Sequence, residues 1–203
     1  MRETVNDVVL SGDYVADKMK EFGKGKPFSH VVFDGFLQKK VVEGLLTGFE
    51  KEFFEQKRAD LFQFSQTSDL HGSKQKALKA FVHFLDSPEF AEYLIRITGV
   101  KMKAGASDVF GSRYSSTDYL LCHDDQLEGR KLAFIFYLNT LRETQGGALA
   151  FRADMKGVPG KIVKRIHPKA GRLVVFPVSS QSWHEVEEIV SEVNRYAIGG
   201  WLH

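Results

Sequence analysis

The sequence has 203 residues, 43% hydrophobic and 27% charged, the balance of a folded globular domain and not of a disordered chain. Lys and Arg total 28 against 26 Asp and Glu, and a net charge of +2 is too even for a nucleic-acid-binding or anionic-membrane surface. The single cysteine, Cys122, excludes an internal disulfide and a thiolate zinc knuckle, and no apolar run approaches the ~18 residues of a membrane span.

The first residues, Met1 to Tyr14, lack the charged start and apolar stretch of a signal peptide, so cytosol or nucleus is the expected location. Val15, Lys18, Met19 and Phe22 recur at helical spacing, with Gly23 placed to end that helix. Pro27 to Phe33 reads as a short strand. Val41, Leu45, Phe49 and Phe53, four apart, predict the longest helix, and Leu78, Phe81, Val82 and Leu85 predict another. Ser87 before Pro88 is an N-cap followed by proline at the first helical position, and Gly99 closes that helix. Ala59 to Ser73 is polar and aperiodic, a long loop expected to fold over a substrate.

From about residue 101 the pattern changes to short β segments punctuated by turn residues. Strands are expected near 105–113, 117–125, 131–138, 147–153, 161–167, 171–177, 182–189 and 194–202. Strands in this number after a helical half predict a sandwich or barrel braced by helices. The expectation is one α+β domain over 1–203 with one core, its helical support in 1–100 and its β core in 101–203.

Chemistry concentrates in the β half. His123 and Asp125 are two apart, so on a strand both point to one face, leaving Cys122 and Asp124 on the other. Such a pair is weak by itself, arising by composition in about one chain of three. His184 adds weight: it follows Asp125 by 59 residues, with four strand-like segments between them. In a double-stranded β-helix of eight strands the second and seventh are neighbours, so these three side chains can meet on one metal. Two imidazoles and one carboxylate on one octahedral face leave three positions open, the arrangement suited to non-haem Fe(II) oxygenases. Zinc hydrolysis on the same ligands leaves Arg195, eleven residues beyond His184, without a role. Ala197 and Gly199 share the Arg195 face and are small, leaving room for a ligand carboxylate that a guanidinium can grip. Tyr137 lies on a strand apolar on both faces, and its hydroxyl needs such a partner if buried. Trp183 and Trp201 read as core or pocket wall, and His30, His71, His83 and His167 as structural or surface residues.

The stretch Thr117 to Asp125, followed by Leu127-Glu128-Gly129-Arg130, closely resembles the 2-oxoglutarate- and iron-dependent prolyl hydroxylases that modify a ribosomal protein. Ala133 to Leu138, Ser182 to Val186 and Ile198 to His203 carry the same resemblance, as do Asp60 to Phe64, Gln66 and Asp69-Leu70 within the expected substrate loop. The resemblance spans roughly residues 28 to 203. It implies a double-stranded β-helix of the jelly-roll, cupin-like kind. It also implies Fe(II) ligands at His123, Asp125 and His184, and 2-oxoglutarate contacts at Arg195 and Tyr137. The cofactor set it implies is Fe(II), 2-oxoglutarate and O2, with ascorbate binding. The implied activity is prolyl 3-hydroxylation of a small-subunit ribosomal protein at the decoding centre, without membrane or direct nucleic-acid partners. Fungal and animal members carry a second, non-catalytic β-helix domain, and this sequence corresponds to the first. Two other classes fit the same residues: an oxygenase of this fold acting on another protein, nucleic acid or small molecule, and a β-helix binding module without chemistry.

Overall fold

The apolar stripes of the N-terminal half become helix faces, with two boundaries moved. The computed structural model describes residues 1–203. Helix α1 covers Gly12–Lys24, so Gly23 does not end it, and the Ser11 hydroxyl caps its N-terminus by accepting from Tyr14 N–H. Helix α2 covers Lys39–Phe49. The four-residue stripe stops there: Phe53 is 79% exposed, while Phe54 turns back to pack edge-on against Phe49. Helix α3 covers Lys76–Leu85 and buries Leu78, Phe81, Val82 and Leu85. Helix α4, Pro88–Thr98, has the expected Ser87 cap and a left-handed Gly99 after its last turn. Loss of such a cap costs about 1 kcal/mol. No helix is long and apolar enough to cross a membrane.

The first half also supplies strands. β1 is Val31–Phe33, shorter than the predicted Pro27 to Phe33. Residues 59–73 are not the expected loop. A hairpin of β2, Glu55–Ala59, and β3, Phe62–Gln66, occupies its start, and a 3-10 turn at Leu70–Gly72 follows. The alternation in Phe62-Gln63-Phe64-Ser65 is too short and polar to stand out, because most of what stabilises β3 is the ladder its neighbours provide.

The eight predicted strands of the second half are all present: β4 Ser107–Tyr114, β5 Tyr119–His123, β6 Leu132–Tyr137, β7 Leu149–Asp154, β8 Pro159–Ile166, β9 Leu173–Pro177, β10 His184–Val186 and β11 Arg195–Leu202. With β1, β2 and β3 they form one curled antiparallel sheet of 11 strands in the order β1-β9-β6-β11-β4-β3-β5-β10-β7-β8, with β2 beside β3. β3 joins the two halves: Ser65 pairs with Arg113 of β4, and Phe62 with Leu120 of β5.

The curl divides the apolar interior that the sequence suggested would be one core. Leu132, Phe134 and Phe136 of β6 join Leu173, Val175 and Ile198 against Phe81, Phe84, Phe90 and Leu94 of the helices. Ala133 and Tyr137 of the same strand face inward, with Leu149, Phe151, Val174, Phe176 and Ala197. Strands apolar on both faces therefore separate a helix-side core from a core inside the curl.

The helices are also tied to the sheet by charge. His71 Nε2 lies 2.9 Å from Asp86 Oδ2, with Asp69 on the other ring nitrogen, and Ser107 Oγ donates to Asp86. Burial works against the His71 charge, but both carboxylates favour it and its pKa is raised. A raised folded pKa stabilises below the unfolded value of about 6.5 and loses that contribution as pH rises through the folded value. The Tm difference between wild type and His71→Gln should thus be largest near pH 6 and shrink in alkaline buffer. Equal differences at both ends of a pH series of melts would refute this.

Candidate active site

The metal-ligand candidates converge through strand pairing. In the antiparallel pair β5–β10, His184 lies directly opposite His123, and their ring centroids are 4.2 Å apart. Each ring is oriented from behind by its own chain: His123 Nδ1 donates to the Leu121 carbonyl at 2.9 Å and His184 Nδ1 to the Ser182 carbonyl at 2.7 Å. A carbonyl can only accept, so Nδ1 carries a proton in each ring and Nε2 is the atom turned to the pocket, where it can donate to Asp125 or, without its proton, ligate a metal. Asp125 completes the group, with Oδ1 3.4 Å from His123 Nε2 and Oδ2 3.2 Å from His184 Nε2. One ligand atom from each of the three residues lies within 4.8 Å of the others.

Asp125 does not arrive as the sequence suggested. β5 ends at His123, so strand alternation does not reach Asp125, and a backbone turn with φ +62° brings its carboxylate round. Burial would push that carboxyl up, but the two imidazoles outweigh burial and hold its pKa well below the usual carboxylate range. Cys122 stands outside the group, and burial pushes its thiol up to about 11, the Glu185 carboxylate adding to the effect.

Arg195 lies in the same cavity of about 120 Å³ as the three candidates. It is only 2% exposed, and its guanidinium carbon sits 5.0 Å from the ring centres of both Tyr114 and Tyr137. Its hydrogen bond runs from Nε to the Gly147 carbonyl at 3.0 Å, and no acidic side chain pairs with it. Gly147 is required there: at φ +71° a Cβ would lie 2.4 Å from Ile189 Cδ1 and 3.2 Å from Arg195 Cδ. A buried guanidinium with no acid partner is costly unless an anion completes it. Tyr137 is fully buried beside it, behind the cavity wall, and its hydroxyl has no partner.

Sequence reasoning missed Tyr114. It lines the cavity, and Tyr114 sits opposite Arg195 in the β4–β11 register. The signal was its place at the inward end of a strand, visible only once that register is known. Trp201 lines the cavity as expected of a pocket wall, and its indole N–H is buried without a partner.

The family model of the 2OG-Fe(II) oxygenase superfamily matches residues 109–203, the β half that holds every residue of this site. The chain belongs to the 2OG-Fe(II) oxygenase superfamily. The superfamily uses Fe(II), 2-oxoglutarate and O2. The site fits these: two imidazoles and a carboxylate suit Fe(II), and a buried guanidinium without an acidic partner, with the Tyr137 phenol beside it, suits a dicarboxylate. Relatives include the prolyl 3-hydroxylase OGFOD1 of Xenopus laevis, 39% identical over 87% of this chain and 35% of that protein. The prolyl 3-hydroxylase sudestada1 of Drosophila melanogaster is 32% identical over 87% of this chain and 34% of that protein. The chain thus spans about a third of the length of these curated relatives. The fold, a double-stranded β-helix, matches a Pseudomonas putida prolyl-4-hydroxylase with a TM-score of 0.72 at 17% identity, over 93% of this chain and 98% of that one. It also matches a Trichoplax adhaerens prolyl hydroxylase, solved with a peptide fragment of the hypoxia inducible factor oxygen degradation domain. Here the TM-score is 0.71 at 14% identity, over 95% of this oxygenase chain and 93% of the other.

Proposed function

We propose that this oxygenase is a prolyl 3-hydroxylase acting on a small-subunit ribosomal protein at the decoding centre, with residues 1–203 forming one catalytic domain. The observation that carries the reading is His184 opposite His123 on paired strands, with Asp125 between them and unpaired Arg195 in the same cavity. His123, Asp125 and His184 would hold Fe(II), and Arg195 with Tyr137 would hold the distal carboxylate of 2-oxoglutarate. The prolyl 3-hydroxylases among the relatives support the position and class of the reaction. A cytosolic or nuclear location and a benefit from ascorbate follow from the same reading.

Iron bound at the triad supplies the chemistry, coupling oxidative decarboxylation of 2-oxoglutarate by O2 to insertion of one oxygen atom into a prolyl C–H bond. The chain's own residues supply placement. The backbone carbonyls of Leu121 and Ser182 keep both imidazoles in the ligating tautomer. Arg195 offers a planar fork of donors that a carboxylate can accept from two at a time. Tyr114, Leu120, Phe176, Val186 and Trp201 wall the cavity with largely apolar surface that limits water around the reacting carbon.

The test is mass spectrometry of ribosomal peptides after incubation with the enzyme, Fe(II) and 2-oxoglutarate. A +16 Da proline on a decoding-centre peptide is expected, and succinate release without any such product would overturn the substrate assignment. The same assay reads the β2–β3 hairpin. Leu61 at its tip is 60% exposed, and its carbonyl accepts from Leu121 N–H at 2.8 Å, two residues before His123. A leucine that becomes buried against a peptide gains about 1.5–3 kcal/mol, so Leu61→Asp should raise peptide KM roughly tenfold or more. Slow uncoupled 2-oxoglutarate decay should persist. An unchanged peptide KM would remove the hairpin tip from substrate contact.

A further inference from the structure

Asp125 meets its two histidines from a left-handed backbone turn, φ +62°, a conformation uncommon for residues with a Cβ, though Asp enters it more readily than most, and one that neighbouring contacts can hold in place. β5 has already ended at His123, so no strand ladder secures the turn. Its carbonyl is held from the side, by Arg130 Nη1 at 3.2 Å. The guanidinium that makes this bond lies over Trp201, its central carbon 3.3 Å from the indole centre. Trp201 is immobilised in turn, paired with Asp108 of β4 on one side and Ala133 of β6 on the other. A continuous line of contacts therefore runs from the middle of the sheet, through Trp201 and Arg130, to the backbone of Asp125.

We infer that Arg130 is a positioning residue: held flat on Trp201, it pins the left-handed turn that aims the Asp125 carboxylate between His123 and His184. The inference rests on the reading of those three side chains as metal ligands. Electrostatics alone gives the opposite sign, because a guanidinium beside a divalent cation site repels the cation. Any gain in metal affinity from Arg130 must come through geometry. Its planar fork can donate to a carbonyl while stacking on an indole; the ammonium of Lys can donate but has no plane to stack. Contacts of this kind, behind a ligand, typically change metal affinity 10–100-fold when removed.

Calorimetry with Mn(II) alone, without 2-oxoglutarate, tests this. Wild type should bind one Mn(II) and His184→Ala should not; failure of either control defeats the ligand reading itself. With both controls in order, Arg130→Met should bind Mn(II) about 10–100-fold more weakly at an unchanged Tm. Arg130→Lys should fall between Met and wild type. Trp201→Leu should weaken binding as well, and Trp201→Leu with Arg130→Met should be no worse than the weaker single variant, because both act through one contact. The visible bands of the Co(II) protein should change in Arg130→Met, as the carboxylate leaves its place. Equal or tighter Mn(II) binding by Arg130→Met, with an unaltered Co(II) spectrum, would overturn the inference: the guanidinium would then merely cover Trp201. Should Arg130→Met fail to fold, wild-type Mn(II) affinity in Arg130→Lys would overturn it equally.

Discussion

His184→Ala is expected to abolish iron binding and turnover together while the protein still folds. His184 is one of the three proposed ligands, whose ligand atoms lie within 4.8 Å of one another, and two remaining ligands do not hold a divalent cation in a three-point site. Its ring packs 4.8 Å from Phe176, so truncation also leaves a small void, at a cost on the order of 1–3 kcal/mol. The β5–β10 ladder is made by the backbone and survives. Circular dichroism should therefore match wild type, with a modestly lower Tm, while Mn(II) heats vanish and succinate release falls to background. A His184→Ala protein that released succinate at the wild-type rate would dissolve the whole site assignment. His123→Ala and Asp125→Ala should behave alike, which separates a ligand set from one residue of special importance.

Arg195→Met should cost cosubstrate affinity while leaving metal affinity unchanged. The guanidinium is 2% exposed, lies between Tyr114 and Tyr137 and has no acidic partner in the chain. Met keeps the bulk of the stem and removes the charge with its donors. A carboxylate bound beside it would then be buried unpaired, a penalty of about 3–5 kcal/mol. At ~1.4 kcal/mol per tenfold, 2-oxoglutarate binding should weaken by two to three orders of magnitude. Arg195→Lys should rescue only in part, because an ammonium has no planar fork. The apoprotein supplies an internal check with the opposite sign. Replacing a buried unpaired charge with an apolar side chain is commonly neutral or stabilising, so the Tm without ligand should not fall. Calorimetry with Mn(II) in place of iron reads both quantities. Unchanged 2-oxoglutarate affinity in Arg195→Met would mean that the carboxylate is held elsewhere.

Much of this was legible in the sequence because local rules govern it. The spacing of Leu78, Phe81, Val82 and Leu85 forms a helix face wherever it is placed, and Ser87-Pro88 starts a helix through its own hydroxyl and ring. Period-two alternation and Gly-rich turns marked eight strands in order, so the strands bearing His123, His184 and Arg195 could be counted in advance. The resemblance to ribosomal-protein prolyl hydroxylases then attached roles to those residues.

Where local rules ran out, the reading failed in specific ways. Phe53 continues the α2 stripe, yet the chain turns and packs the half-buried Phe54 against Phe49 in its place. The β2–β3 hairpin looked like a loop because its strands are half polar, and their order comes from β4 and β5, which lie 40 or more residues away in sequence. A helix face or a turn depends on neighbours a few residues off; strand register and burial depend on partners the chain reaches only after folding.

The site divides along the same line. Sequence alone determined which residue types were on hand: two histidines, an aspartate and an arginine, carried by strands in a countable order. Only the tertiary structure set His184 opposite His123, turned Asp125 out of the strand pattern to meet both, and placed Tyr114 across from Arg195. The reason is physical: the His and Arg placements depend on antiparallel register between distant strands, where a slip of one residue would send those side chains to the other face of the sheet, and Asp125 depends on a backbone turn beyond the end of β5.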